Sequence, residues 1–427
     1  MVWFAKRTEG PPAAAETAGE RAALLPNETY RLARRPSRSK LWLLPAITFL
    51  LIMSFLTHQC SVWYFGGNFV SEPRRFSTDL EGTDKIRFWM EGNGKLEGSL
   101  EILETPSTEP SRLEIDIFTL TWDTDGFKSV QLEDSAAGVA LKCERTFQRS
   151  FFRRSMPTIK VRAKLHIQVD QVQELSISTR ALDVNINLPN AKLTKASFDT
   201  ISGSVISSAL SKSLDTEAQT VEGKISGNFN LYDRLRLVTE TGKIDAQISP
   251  QEGSDVATSD FRTATGDIKV NFEEPVGSRS FKSTVETDAG NITGKLLLGE
   301  NLFVKSTSGD IKIHVAATNA AESFFRTENT SGLTKVFMAE RTMGKVISYH
   351  TAEDRDVEVS YPSNWEGEIH AKVASGDIRL QGKGIEITQE FEGLVRGQEI
   401  WAEKGNPSKG RLMARATYGD VILSIGK

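Results

Sequence analysis

From about residue 170 to the end, apolar and polar residues alternate, and the alternation changes phase at regular intervals. Leu302, Val304, Ser306 and Ser308 occupy even positions; after Gly309-Asp310, Ile311, Ile313 and Val315 occupy odd ones. Leu235, Leu237, Thr239 and Thr241 likewise give way to Ile244, Ala246 and Ile248 across Gly242. The same switch occurs at Gly266 and Gly419. Successive side chains of a strand face opposite sides. A two-residue corner between two strands therefore returns the apolar set to one interior, where a simple slip would expose it. The pattern predicts pairs of short strands joined by corners at Gly203, Gly223, Gly242, Gly266, Gly290, Gly309, Gly332, Gly376 and Gly419. Phase alone adds Leu182, Arg355 and Gly397, the last needing one extra residue before Ile400.

These positions recur about every 21 to 22 residues, the signature of a stacked array. A unit this small cannot bury its own apolar side, so the expected fold is all-β: a β-solenoid of about 12 coils over residues 171–427. At about 4.8 Å per coil the rod is roughly 50–60 Å long. The alternative is an antiparallel β-sandwich with these phrases as bent strands. Residues 66–170 alternate without the repeat ("RLEIDIFTLTW", "TIKVRAKLHIQV") and read as an entry region capping the first coil. The chain ends on "VILSIGK" with no evident cap, which suggests a loop folded back or end-to-end association with a second copy.

One segment breaks the pattern. Residues 41–65, "LWLLPAITFLLIMSFLTHQCSVWYF", are apolar without Asp, Glu, Lys or Arg, and about 20 such residues span a bilayer. Trp42, Trp63 and Tyr64 sit where interfacial rings belong. Arg31, Arg34, Arg35, Arg38 and Lys40 precede the span, so residues 1–40 are expected in the cytoplasm as a disordered tail whose basic end meets lipid headgroups. The remainder is expected to be extracellular or lumenal, as in a single-pass type II protein. Ser37 and Ser39 lie among those arginines, where phosphate would weaken the lipid contact.

Composition narrows the chemistry. The 427 residues are 25% charged with formal net charge −4, which argues against nucleic acid as a partner. Cys60 and Cys143, the two cysteines, cannot form a disulfide framework or a four-thiolate zinc site; a single bridge between them is the alternative to two free thiols. The histidines at 58, 166, 314, 350 and 370 lack metal-ligand spacing. No cofactor, metal or catalytic set is expected. The Asp after the corner (Asp183, Asp267, Asp310, Asp356, Asp377, Asp420) suggests a calcium ladder or glycosidase carboxylates. However, Ser204, Lys224, Lys243, Asn291 and Leu333 stand in the same place, and adjacent lysines do not suit a calcium column. A corner role through short side-chain hydrogen bonds fits better. The glycines read as suppliers of unusual backbone conformations. Of two glycosylation tripeptides, the register turns Asn291 outward and Asn329 inward.

The phrases "STSGDIKIHV", "TATGDIKV" and "ASGDIRL" resemble the "putative-adhesin" family of β-strand repeats. The resemblance covers about residues 170–427, departs from the pattern at Leu182, Arg355 and Gly397, and transfers no functional residue. It implies a solenoid-like domain with a non-enzymatic role. The expected function is adhesion or scaffolding at a membrane, with polysaccharide or protein on the solenoid's side face. The alternatives are a carbohydrate-active β-helix enzyme, marked by a cleft with two carboxylates beside Arg or Lys, and a docking subunit of a membrane complex.

Overall fold

The structure, a computed structural model, describes residues 73–80, 83–92, 96–119, 130–135, 138–143, 159–253, 255–275, 279–318, 320–339, 344–393 and 397–426. The expected membrane span, the basic segment before it, Ser37, Ser39 and Cys60 lie outside these residues. No helix among the described residues is long and apolar enough to cross a membrane. Residues 67–427 form one compact unit, whose described residues are all-β apart from a short 3-10 turn at Pro407–Lys409.

Two parallel ladders run side by side, one of strands preceding a corner and one of strands following it. In the pre-corner ladder Glu174–Thr179 pairs with residues 195–200, then 215–220, Arg234–Thr239, Ala257–Thr263, Phe281–Ala289, Asn301–Ser308, Glu322–Asn329 and Lys345–Ala352. In the post-corner ladder residues 182–188 are followed by 205–210, Ile225–Leu231, Ile244–Pro250, Ile268–Phe272, Ile292–Leu298, Ile311–Ala317, Thr334–Met338 and Val357–Tyr361. The expected solenoid and its register are thus present, including the rungs at Leu182 and Arg355; a sandwich is not. Each rung adds buried side chains to one core. Around Gly266 these are Ala257, Phe261, Ile268, Val270 and Phe272, each large one stabilising by about 1.5–3 kcal/mol.

The ends differ from expectation. After the Arg355 rung the next neighbour is not the Gly376 rung. Gly410–Tyr418 inserts between Lys345–Ala352 and Gly367–Ser375, and Val421–Ile425 inserts between Val357–Tyr361 and Ile378–Gly382. The last rung in sequence is therefore second from the end. Gly397 is not a corner: Ile385–Glu392 and Gln398–Lys404 form an antiparallel hairpin, and Gln398–Lys404 also pairs antiparallel with Gly367–Ser375. This hairpin is a folded-back segment that covers the end of the pre-corner ladder.

The other end repeats the arrangement. Within 66–170, expected to be non-repeating, Lys85–Gly92 and Leu96–Thr105 form a rung against Glu174–Thr179 and residues 182–187. Gly138–Cys143 and Ile159–Gln168 form another outside it. Val130–Ser135, Arg112–Thr119 and Arg74–Asp79 close that end antiparallel. The described post-corner ladder thus has thirteen rungs: nine from Leu182 to Arg355, two before them and two after. At the first end both ladders finish in antiparallel strands; at the other the pre-corner ladder finishes in the antiparallel hairpin, and the post-corner ladder finishes on Ile378–Gly382, paired among the described residues with Val421–Ile425 alone.

Candidate functional site

The corners are a hydrogen-bonded line along the rod. The Asp183 carboxylate accepts the Ser204 N–H at 2.8 Å. Asp267 accepts the Asn291 N–H at 3.0 Å, the Asn291 Oδ1 accepts the Asp310 N–H at 2.9 Å, and Asp310 accepts the Leu333 N–H at 3.0 Å. Asp356 accepts from the Asp420 N–H at 2.8 Å, and Asp420 from the Asp377 N–H at 3.0 Å. Each short side chain satisfies a corner amide of the next rung. The line breaks at Lys224 and Lys243, which have no acceptor; the Lys243 ammonium instead reaches the Asp267 carboxylate at 2.9 Å. That contact, followed by the Asn291 N–H, holds Asp267 below the usual carboxylate range. Asp310 is lowered chiefly by Lys312. Stack order makes Asp356, Asp420 and Asp377 consecutive, not only Asp356 and Asp377 as sequence order implied. Arg379 lies 3.3 Å from Asp420 and 3.7 Å from Asp377. Among the described residues no group of His, Cys, Asp and Glu is arranged to hold a metal ion.

Behind each corner stands a second line, of hydroxyls. The Thr220 hydroxyl donates to the Gly203 carbonyl at 3.0 Å and accepts the Gly223 N–H at 2.9 Å. Thr239 does the same for Gly223 and Gly242, at 3.2 and 3.0 Å. Thr263, Thr287 and Ser306 donate to Gly242, Gly266 and Gly290 at 3.0–3.1 Å, and Asn329 uses its amide on Gly309 at 3.0 Å. These buried side chains are hydrogen-bond partners of the corner backbone. The glycine reason also changes. At Gly203 through Gly332 the backbone is outside the left-handed region, and an added Cβ would come within 1.8–2.0 Å of the neighbouring rung's carbonyl oxygen. Close approach, not unusual dihedrals, demands glycine at these corners; of the corner glycines, Gly376 and Gly419 alone also have positive φ, 143° and 150°.

Three outward regions remain. On the pre-corner sheet, Glu217 pairs with Arg236 at 2.5 Å, Arg236 also lies 3.6 Å from Asp260, and Arg262 bonds Asp260 at 2.6 Å. Asp199 stands beside Glu217 one rung earlier; desolvation first, then the Glu217 charge, raises its pKa. Glu217 is lowered overall: burial is the largest single effect and opposes this, but the Arg236 and Gln219 hydrogen bonds and nearby arginines outweigh it. Farther along the same sheet the outward residues turn aromatic, with Phe324 48% and Trp401 38% exposed. On the post-corner sheet a shallow groove of about 320 Å³ is lined by Ser208, Asn228, Asn230, Gln247, Ser249 and Glu273. The sequence offered no signal for it beyond an excess of Asn, Gln and Ser at outward positions.

Inside, His350 is fully buried; its Nδ1 is 2.9 Å from the Thr327 hydroxyl and its Nε2 3.5 Å from the Tyr361 hydroxyl. Burial pulls its pKa down to about 3 and pushes that of Tyr361 up. Of the two glycosylation tripeptides, Asn291 is exposed and Asn329 is 4% exposed.

Residues 250–391, which hold the corners from Gly266 to Gly376, match the family model described as Toastrack DUF4097. That stretch is shorter than the 170–427 over which the sequence resemblance ran. No curated protein matches the chain. Solved structures similar to it include a "putative cell adhesion protein" from Clostridium sporogenes (8% identity, 83% of this chain and 100% of that one, TM-score 0.16). Others are a "putative adhesin" from Bacteroides fragilis (8%, 82% and 97%, TM-score 0.28) and a "putative lipid binding protein" from Parabacteroides distasonis (11%, 84% and 98%, TM-score 0.24).

Proposed function

We propose that the protein is a single-pass membrane protein that presents its solenoid, adhesin-like and without catalysis, on the far side of the membrane from its N-terminus. The apolar segment 41–65 with arginines before it supports the anchoring. The observation that carries the binding role is the post-corner groove, where Asn228, Gln247 and Glu273 stand on successive rungs; the Ser208 carbonyl takes one hydrogen of the Asn228 amide at 3.2 Å, which leaves the other hydrogen and the Oδ1 for a ligand. Such a surface suits the hydroxyls of a polysaccharide, which donate to and accept from side-chain amides and donate to a carboxylate. The test is retention of the full-length chain, in detergent, on immobilised cell-wall polysaccharide. Gln247→Ala with Asn228→Ala should lose at least tenfold in retention; undiminished retention defeats the groove assignment. Protease protection of a C-terminal epitope in sealed vesicles tests the orientation.

A second reading rests on Asp199 and Glu217. Their environments push two neighbouring carboxyls apart, as an acid–base pair requires. Arg236 stands beside them, but the described grooves do not include them. Release of reducing ends from polysaccharide by the native chain, abolished in Glu217→Gln, would favour this enzyme reading over the adhesin.

A further inference from the structure

The outward face of the pre-corner sheet changes character along the rod. From Ser176 to Thr284 the outward line reads Ser176, Ser197, Glu217, Arg236, Asp260 and Thr284. The next six strands, five of rungs and the hairpin strand Gln398–Lys404, continue it, in stack order, as Phe303, Arg326, Tyr349, Met413, His370 and Trp401. Phe324 and Ile347 flank them two residues away along their strands. His370 and Trp401 stack at 3.8 Å, and the Arg326 guanidinium lies 5.8 Å from the Phe303 ring. A contiguous solvent-facing apolar patch on a soluble face marks a contact surface. Aromatic residues, Met and Arg are the types concentrated in protein–protein contacts.

The charges beside this line identify the partner. Two residues further along each strand the sequence is Lys305, Glu328, Thr351, Arg415, Lys372 and Glu399. A two-fold axis along the strand direction, between Tyr349 and Met413, reverses the rung order of a second copy. Lys305 then faces Glu399, Glu328 faces Lys372, and Thr351 faces Arg415. The same operation sets Phe303 against Trp401, Tyr349 against Met413 and Arg326 against His370. On the third line Asn301 meets Glu403, Phe324 meets Glu368 and Ile347 meets Arg411. No Lys or Arg faces another Lys or Arg, and no Glu faces another Glu. A two-fold axis along the rod instead opposes Arg415 to Arg411 and Glu399 to Glu403, which is repulsive. Lys305 has no ion pair in its own chain among the described residues, whereas Glu399 already holds Lys372 at 2.7 Å. The second copy's Lys305 would complete that cluster.

We propose that this face is the self-complementary interface of a homodimer, with an isologous two-fold axis along the strands. Sheets packed face to face keep their strands within about 30° of each other, which suits this operator. Six strands at about 4.8 Å by three outward positions present roughly 400–500 Å² per copy. That is about half a standard interface, so the association is weak, and tethering both copies to one membrane strengthens it through effective concentration. The polysaccharide groove lies on the other sheet, so each proposal stands or falls alone.

Sedimentation velocity of the full-length chain in detergent, from about 1 µM to about 100 µM, should show a reversible monomer–dimer transition. Tyr349→Glu should weaken it at least tenfold, as should Lys305→Glu. A monomer throughout overturns the proposal. Geometry is tested with Cys60→Ser and Cys143→Ser in the background. Chains carrying Lys305→Cys, mixed with chains carrying Glu399→Cys, should form a mixed disulfide under mild oxidation. Lys305→Cys alone should not, because the axis puts the two copies of that position at opposite ends of the interface. Self-crosslinking as efficient as the mixed reaction would mean a different face and overturn the assignment.

Discussion

Gly242→Ala tests the reason the corner repeats. The added Cβ would lie 1.8 Å from the Gly223 carbonyl oxygen and 2.7 Å from the Thr239 hydroxyl. The obstacle is backbone held by its own ladder, so the two rungs must separate locally by about 1 Å. That movement stretches the Thr239 bond to Gly223, the Ile225 N–H bond to Lys243 at 3.0 Å and the Thr241 N–H bond to Val221 at 2.8 Å. Overpacking costs about 1–3 kcal/mol, and each weakened bond up to about 1 kcal/mol. Reduced freedom of the unfolded chain returns about 0.4–1 kcal/mol. The net expectation is a loss of about 3–4 kcal/mol. Gly384→Ala is the control: Gly384 has φ +76° and nothing within 4 Å of its added Cβ, so only backbone strain of about 1–2 kcal/mol applies. Unfolding in guanidinium gives the ranking. Hydrogen exchange at Ile225–Leu231 and Ile244–Pro250 localises the loss, which matters because stacked repeats need not unfold as one unit. If Gly242→Ala is no worse than Gly384→Ala, close approach of the rungs is not what selects glycine.

Three further outcomes follow from the site geometry. Asp267 is held below its usual 3.8 by Lys243 and the Asn291 N–H, so its stabilisation is present above about pH 4 and is lost as pH falls through the lowered folded value; Asp267→Asn should flatten the thermal midpoint below pH 4. His350 stays neutral down to about pH 3 in the fold but protonates near 6.5 when unfolded, so stability should fall as pH drops from about 6.5 toward 3, and His350→Gln should remove that slope in a pH series of melting curves. Glycopeptide mapping after passage through a eukaryotic secretory pathway should find sugar on Asn291 and none on Asn329; modification at the Asn291 Nδ2 leaves its Oδ1 accepting the Asp310 N–H.

Side-chain parity made the inside of the rod legible. Ile268, Val270 and Phe272 read inward from the sequence and are buried, and so are Leu412, Ala414 and Ala416. Parity even recovered the Leu182 and Arg355 rungs, which lack the glycine. It failed at Gly397 because a hairpin strand alternates just as a rung strand does. The missing signal was the corner itself: "VRGQEIWA" needed an extra residue between Gly397 and Ile400 to keep phase, and Gln398 and Glu399 there begin the hairpin strand, paired with Glu392 and Phe391. The entry region hid its two rungs for a related reason. Lys85–Gly92 and Gly138–Cys143 belong to rungs whose neighbours are far away in sequence, so no fixed period links them.

Period and parity state what a strand buries, not which strand lies beside it. Neighbour identity is written instead in the close contacts between rungs. The forbidden Cβ of Gly223 points at Gly203, that of Gly242 at Gly223, and so on up to Gly332 at Gly309; Gly419 then points at Arg355, and Gly376 at Gly419. Followed in this way, the glycines trace the stack through its change of order, 355 to 419 to 376. The reversal also explains how the C-terminus is protected. A rung ending at residue 425 on the tip of the rod would expose one whole parallel edge. Placed second from the end, Gly410–Tyr418 and Val421–Ile425 are paired on both sides. The tip of the pre-corner ladder is left to a hairpin strand, Ile385–Glu392, carrying Glu386, Glu390 and Glu392. Charges along an exposed edge strand oppose further strand addition. The same consideration disfavours strand addition at this edge and agrees with the proposed association through the aromatic side face, whose charge order complements itself.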